Sequence, residues 1–163
     1  MSWKIVSLET IEHLLSPLRL QHQRIVHCHG CFDLLHLGHV RYFKAARAQG
    51  DVLVVTVTAD AHVGKGPGRP VFTHDLRAEF IAELVCVDFV AVSHFATAVE
   101  AIRCVCPDVY AKGGDFGPDK MNPALLEEKR AVESYGGRLH FTGDAYLPIH
   151  SSQLLETLER TRS

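Results

Sequence analysis

Residues 30–41 read Gly30-Cys31-Phe32-Asp33-Leu34-Leu35-His36-Leu37-Gly38-His39-Val40-Arg41, and the fold turns on them. An apolar run, residues 24–29, with a first strand expected over 24–28, leads into this block, and a helix-like pattern over 40–49 leaves it and stops at Gly50. A strand that ends in a glycine turn and opens a helix is a phosphate-binding unit of α/β proteins. The amides of the first helical turn are unpaired, and the helix dipole favours an anion. His36 and His39 stand three residues apart, so both rings can meet one anion from that turn.

Outward from this block, β-branched runs alternate with helical ones, the pattern of a parallel sheet covered by helices. An opening helix is expected from Leu8, Ile11, Leu14, Leu15 and Leu18, interrupted near Pro17. Residues 51–58 (DVLVVTVT) read as a strand buried on both faces. A Gly/Pro-rich loop spans 64–70. Thr73 is placed to cap a helix reaching about residue 85, with Leu76, Phe80, Ile81 and Leu84 on one side. Further strands are expected over 88–92, 108–111 and 138–142. Helices are expected over 97–104, from Pro123 to about 135, and over 152–160 after a Ser151 cap. The expected fold class is α/β: a Rossmann-like, doubly wound, parallel five-stranded sheet with helices on both faces. The 163 residues suit one domain, with an N-terminal helical extension over 1–23 and a core over 24–160.

Composition narrows the function classes. The chain is 47% hydrophobic and 22% charged, with a formal charge of −2, which gives no footprint for general nucleic-acid binding. No apolar run reaches the ~18 residues of a membrane span. Residues 1–10 lack a signal-peptide pattern. Five cysteines without framework spacing fit reduced thiols, and a cytoplasmic setting is expected. Cys28-x-x-Cys31 among His27, His29, His36 and His39 raises a zinc site. No second half-site follows at finger spacing, and strand alternation sends His27 and His29 to the face opposite Cys28. No protein metal site is therefore expected. Cys86, Cys104 and Cys106 read as small core residues.

In a doubly wound sheet, ligands sit beyond the C-terminal strand ends, near the point where strand order reverses. Polar clusters fall there repeatedly: after the first strand, at Thr58 to Asp60, at Lys112 to Asp115, and at Ser151 and Ser152. Four blocks then carry a specific resemblance. They are Gly30-Cys31-Phe32-Asp33 with His36-Leu37-Gly38-His39; Lys65-Gly66-Pro67 through Arg69-Pro70 with Arg77; Lys112-Gly113-Gly114-Asp115; and Ser151-Ser152. With these the chain resembles the nucleotidyltransferase superfamily bearing the His-x-Gly-His motif, in its cytidylyltransferase-like branch. It is similar there to the adenylyltransferase domain of heptose-phosphate enzymes, to glycerol-3-phosphate cytidylyltransferases, and to sugar-phosphate nucleotidyltransferase domains often fused to a sugar kinase.

The resemblance implies transfer of AMP or CMP from ATP or CTP to a sugar or polyol phosphate, with release of pyrophosphate and Mg²⁺ accompanying the triphosphate. It implies catalytic roles for His36, His39, Lys65 and Arg77, with Arg77 clamping the acceptor or pyrophosphate. Nucleotide contacts fall to Gly30, Cys31, Phe32, Asp33, Gly38, Asp60, Lys112, Gly113, Gly114, Asp115, Ser151 and Ser152. A homodimer and a sugar kinase partner or fused domain are implied too. The Lys-Gly-Gly-Asp block favours the ATP-using, heptose-like reading. A glycerol-phosphate-type cytidylyltransferase and a nucleotide-binding regulatory module without turnover remain alternatives. Two positions depart from the pattern. His150 precedes only two serines, with Gln153 after them, and His27 and His29 flank the first glycine block where the heptose enzymes carry Thr-Asn.

Overall fold

The computed structural model describes residues 2–113 and 116–143. Five strands, β1 (Ile25–Gly30), β2 (Val52–Thr58), β3 (Phe89–Ser93), β4 (Val109–Lys112) and β5 (Arg138–Phe141), form one sheet in the order β3-β2-β1-β4-β5. All four strand pairings are parallel. Strand order reverses between β1 and β4, which puts the expected binding crevice at their C-terminal ends. A short bridge from Ile5 to Val90 covers part of the free edge of β3.

The period-2 pattern of β1 and β2 sorts their side chains between two helical layers. Val26, Cys28, Leu53, Val55 and Val57 face α2 (Leu37–Arg47) and α3 (His74–Ala82), where Phe43, Ala46, Ala78 and Ile81 complete a core. Ile25, Val52 and Val54 face α1 (Ile11–Leu20) and α4 (Ala98–Val105), against Ile11, Leu15, Ala101 and Val105. Ala98, Ile102, Tyr110, Ala131 and Val132 form a third cluster beneath α5 (Pro123–Glu133). Ile11 and Leu15 are fully buried, so α1 is built into the core.

Three expectations are corrected. Pro17 does not interrupt the opening helix: it lies inside α1, and its carbonyl still accepts from the Gln21 amide at 3.2 Å. The buried side of α3 is Arg77, Ala78, Ile81 and Ala82, whereas Leu76 and Phe80 are exposed. Arg77 takes a core position because every edge of its guanidinium finds an acceptor. Cys86 and Cys104 are only half-buried at the core margin, and Cys106 is the left-handed C-cap of α4 (φ 46°) rather than a core residue. The expected last helix over 152–160 lies outside the described residues. Thr73 does stand at the N-cap of α3, which ends at Ala82, but its side chain makes no capping hydrogen bond among the described residues; side-chain caps occur at α4 and α5. Thr97 Oγ1 accepts from the Val99 amide at 3.2 Å, and Asn122 Oδ1 from the Leu125 amide at 2.8 Å, just before Pro123 opens α5.

Candidate active site

β1 delivers the chain to the C-terminal sheet edge at Gly30, and a tight turn follows. Phe32 adopts a left-handed φ of 49°, and its ring folds back over Gly30. A Cβ on Gly30 would stand 2.9 Å from Phe32 Cζ, so the glycine is what lets the ring lie there. That ring then packs edge-on to His39 (5.4 Å) and Phe43 (5.0 Å), tying the turn to α2. Asp33 is 1% exposed. Its carboxylate pairs with Arg69 and accepts from the Val71 amide at 2.7 Å and the Phe72 amide at 3.4 Å. Asp33 thus anchors the 64–72 loop to the glycine block, and its carboxylate does not face an open nucleotide pocket.

His36 is the N-cap of α2, and His39 occupies its first turn. The rings stack at 3.8 Å with 30° between their planes. The His36 backbone N–H donates to His39 Nδ1 at 3.4 Å, which leaves the His39 ring proton on Nε2. Burial, then the neighbouring His36 and Lys65, push His39 down to about 3, so it is a neutral donor at physiological pH. Lys65 is exposed, on a loop where Gly66 (φ 91°) and Gly68 (φ 73°) take conformations that favour glycine. Its charge is felt at both His39 and Cys31. The structure therefore brings His36, His39, Lys65 and the glycine block together.

Arg77 is placed differently from the sequence expectation. It is 1% exposed and donates from Nε to Phe72 O (2.9 Å), from Nη1 to Cys31 O (2.5 Å), and from Nη2 to Thr58 O (2.8 Å) and Asp60 Oδ1 (2.5 Å). A guanidinium so committed braces the loops after β1 and β2 rather than clamping a ligand with a free fork. Asp60 also meets His74 Nδ1 at 2.9 Å. Burial works to raise its carboxyl, but Arg77 and His74 outweigh that and hold it below the usual range.

On the far side of β1, Lys112 ends β4 with Nζ 2.7 Å from Glu128 Oε2 of α5. Its ammonium lies 5.2 Å from the Tyr110 ring centroid and 5.0 Å from that of Phe116. It is 8% exposed, so it faces α5 more than open solvent. Gly113 leaves room among the described residues, where a Cβ on it would meet Tyr42 alone, at 3.9 Å. Gly114, Asp115, Ser151 and Ser152 lie outside the described residues.

The sequence reading missed a second polar feature. His27 Nε2 and His29 Nδ1 contact one hydroxyl, Thr56 Oγ1, at 2.7 and 2.8 Å, and His29 Nε2 reaches Thr58 Oγ1 at 3.3 Å. The signal was present in β2, where two threonines interrupt a valine-rich run. Burial and nearby Lys112 push His29 down to about 3.

A family model described as cytidylyltransferase-like matches residues 27–157. The bifunctional protein HldE of Syntrophotalea carbinolica is 41% identical over 138 residues, covering 83% of this chain and 27% of that protein. HldE of Pseudomonas entomophila is 42% identical over 141 residues, 85% of this chain and 29% of its own. The chain thus spans little more than a quarter of the length of these curated relatives. The lipopolysaccharide core biosynthesis protein from Thermoplasma volcanium superposes with a TM-score of 0.60 at 30% identity, covering 73% of this chain and 93% of its own. Pantoate-beta-alanine ligase from Francisella tularensis has a TM-score of 0.60 at 13% identity, covering 84% of this chain and 65% of its own, and shares the fold.

Proposed function

The chain belongs to the cytidylyltransferase-like family, and from that premise we propose that it transfers a nucleoside monophosphate from a nucleoside triphosphate to a sugar phosphate, releasing pyrophosphate. The observation that carries this reading is the stacked His36–His39 pair at the N-terminus of α2, within the field of Lys65. An attacking phosphate oxygen is already nucleophilic, so the site needs positioning and charge neutralisation rather than a general base. A neutral His39 with its proton on Nε2 suits donation to a phosphate oxygen as charge builds at the α-phosphate. The amides of the first turn of α2 and the Lys65 ammonium add to that field. Arg77 acts as a positioning residue, holding the Cys31, Thr58 and Asp60 walls at fixed distances.

Mg²⁺ is the metal such a triphosphate brings. The donors gathered at the site, imidazoles and a lysine, are poor ligands for a hard cation, and no cluster of three His, Cys, Asp or Glu residues able to hold a metal occurs among the described residues. That donor set fits a metal held by phosphate and water oxygens. When bound, it would neutralise charge on the triphosphate.

ATP and a heptose-type sugar phosphate are the preferred substrates in this reading. The HldE relatives and the lipopolysaccharide core biosynthesis neighbour support a sugar phosphate. The proposal extends to a single domain over 1–163, a homodimer, a cytoplasmic setting, and a kinase partner or fused domain of the kind a bifunctional relative suggests. Among the described residues no helix is long and apolar enough to cross a membrane. The deciding experiment is a matrix of ATP, CTP, GTP and UTP against sugar and polyol phosphates, read by pyrophosphate release. Release is expected only when a triphosphate and a phosphorylated acceptor are both present. Release without a phosphorylated acceptor would overturn the reading.

A further inference from the structure

The polar chain His27–Thr56–His29–Thr58 runs outward through the sheet. His27 and Thr56 are fully buried, whereas His29 and Thr58 are half-buried at the C-terminal edge. The Thr56 hydroxyl has one proton and two lone pairs, so at most one ring can accept from it; the two imidazole nitrogens are its partners among the described residues, so its proton goes to one ring and the other ring donates to it. His27 Nδ1 decides which. It is buried with no partner among the described residues, and a proton there would be an orphaned N–H, a rarer feature of folded proteins than an orphaned acceptor. His27 therefore carries its proton on Nε2 and donates to Thr56 Oγ1, and the Thr56 hydroxyl donates to His29 Nδ1. The His29 proton is left on Nε2, at the outer end of the chain, where its contact with Thr58 is the longest of the three at 3.3 Å.

His29 immediately precedes the Gly30 block and shares its sheet face with Lys112, since His27 pairs in register with Tyr110 two residues below each. It therefore stands between the two blocks that the nucleotide would bridge. We propose that His29 is a ligand-binding residue, with a tautomer fixed by the His27–Thr56 chain so that its Nε2–H donates to the bound nucleoside triphosphate. Burial keeps the ring neutral, so its polarity does not invert at working pH. The proposal rests on the transferase reading above and goes beyond it in assigning a residue at which this chain departs from the family pattern.

The test is imidazole ¹⁵N NMR of the full chain, combined with steady-state kinetics. His29 should show a bare Nδ1 and a protonated Nε2, and Mg²⁺ with ATP or CTP should shift the Nε2 resonance while His27 stays still. Thr56→Val, close in shape, should mix the His29 tautomers and raise KM for the triphosphate about five- to tenfold. KM for the acceptor and kcat should hold. His29→Asn, which keeps a donor, should recover most of the binding that His29→Leu loses. A protonated Nδ1, a resonance unmoved by nucleotide, a shift caused by acceptor phosphate alone, or an unchanged KM in Thr56→Val would each overturn the assignment. The tautomer and nucleotide shift are read from binding, so they stand apart from turnover, whose absence would count against the transferase reading itself.

Discussion

In the pair His27 and His29 the rings stand 6.5 Å apart at 66° and share a threonine hydroxyl, whereas His36 and His39 stack ring on ring at 3.8 Å. The spacing explains the contrast. Residues two apart on a strand share a face with a gap between them, and the neighbouring strand fills that gap with Thr56. Residues three apart at a helix start meet directly. Each arrangement holds one imidazole neutral, His29 mainly by burial and His39 by burial plus a neighbouring ring and lysine. Neutral histidines can thus be made in two ways within thirteen residues.

The contrast is most severely tested at Arg77, which fixes the segment between the pairs. Arg77→Met leaves the carbonyls of Cys31, Thr58 and Phe72 and the Asp60 carboxylate without their donor, and should cost about 3–5 kcal/mol in chemical denaturation. A loss under about 1 kcal/mol would mean that the loops hold themselves. Next in size, His39→Ala should lower kcat about 10²- to 10³-fold, with the melting profile retained. Near-normal kcat/KM there would remove the functional half of the contrast. Smaller again is Gly30→Ala, where the new methyl meets the Phe32 ring. A cost of about 1–3 kcal/mol is expected, and a neutral result would show that the ring moves aside freely.

The most graded effect is a pH slope. His29 and His39 are held near 3 in the fold, below their ordinary value of 6.5. The unfolded chain therefore binds more protons between those values, and stability falls as pH drops from 6.5 toward 3. Urea titrations across that window should show a shallower slope in His39→Ala. An unchanged slope would assign the acid sensitivity to the strand pair.

Much of this was legible in the sequence because it depends on near neighbours. The β-branched run in 51–58 marks β2, Pro123 marks the start of α5, and the spacing of His36 and His39 marks the helix mouth. What escaped depends on partners far along the chain. Asp33 reads as a ligand contact until the amides 38 and 39 residues later are seen to use it. Arg77 reads as a free fork, yet its acceptors come from three separate segments. Leu76 and Phe80 read as the packed side of α3 because an apolar stripe is the usual sign of burial. Here a fully paired arginine takes that place. The His27–Thr56–His29 chain had a visible half, since alternation places both rings on one face, but the hydroxyl joining them belongs to the next strand.

Cys28 gives the protein a built-in clock. All five cysteines are free, yet only Cys28 is fully enclosed, and its thiol is pushed up to about 12 by burial. A thiol-modifying reagent should reach the four half-buried sulfurs through small local motions. It should reach Cys28 only when the central strand parts from its neighbours. The rate of that last modification would then time the opening of the whole sheet.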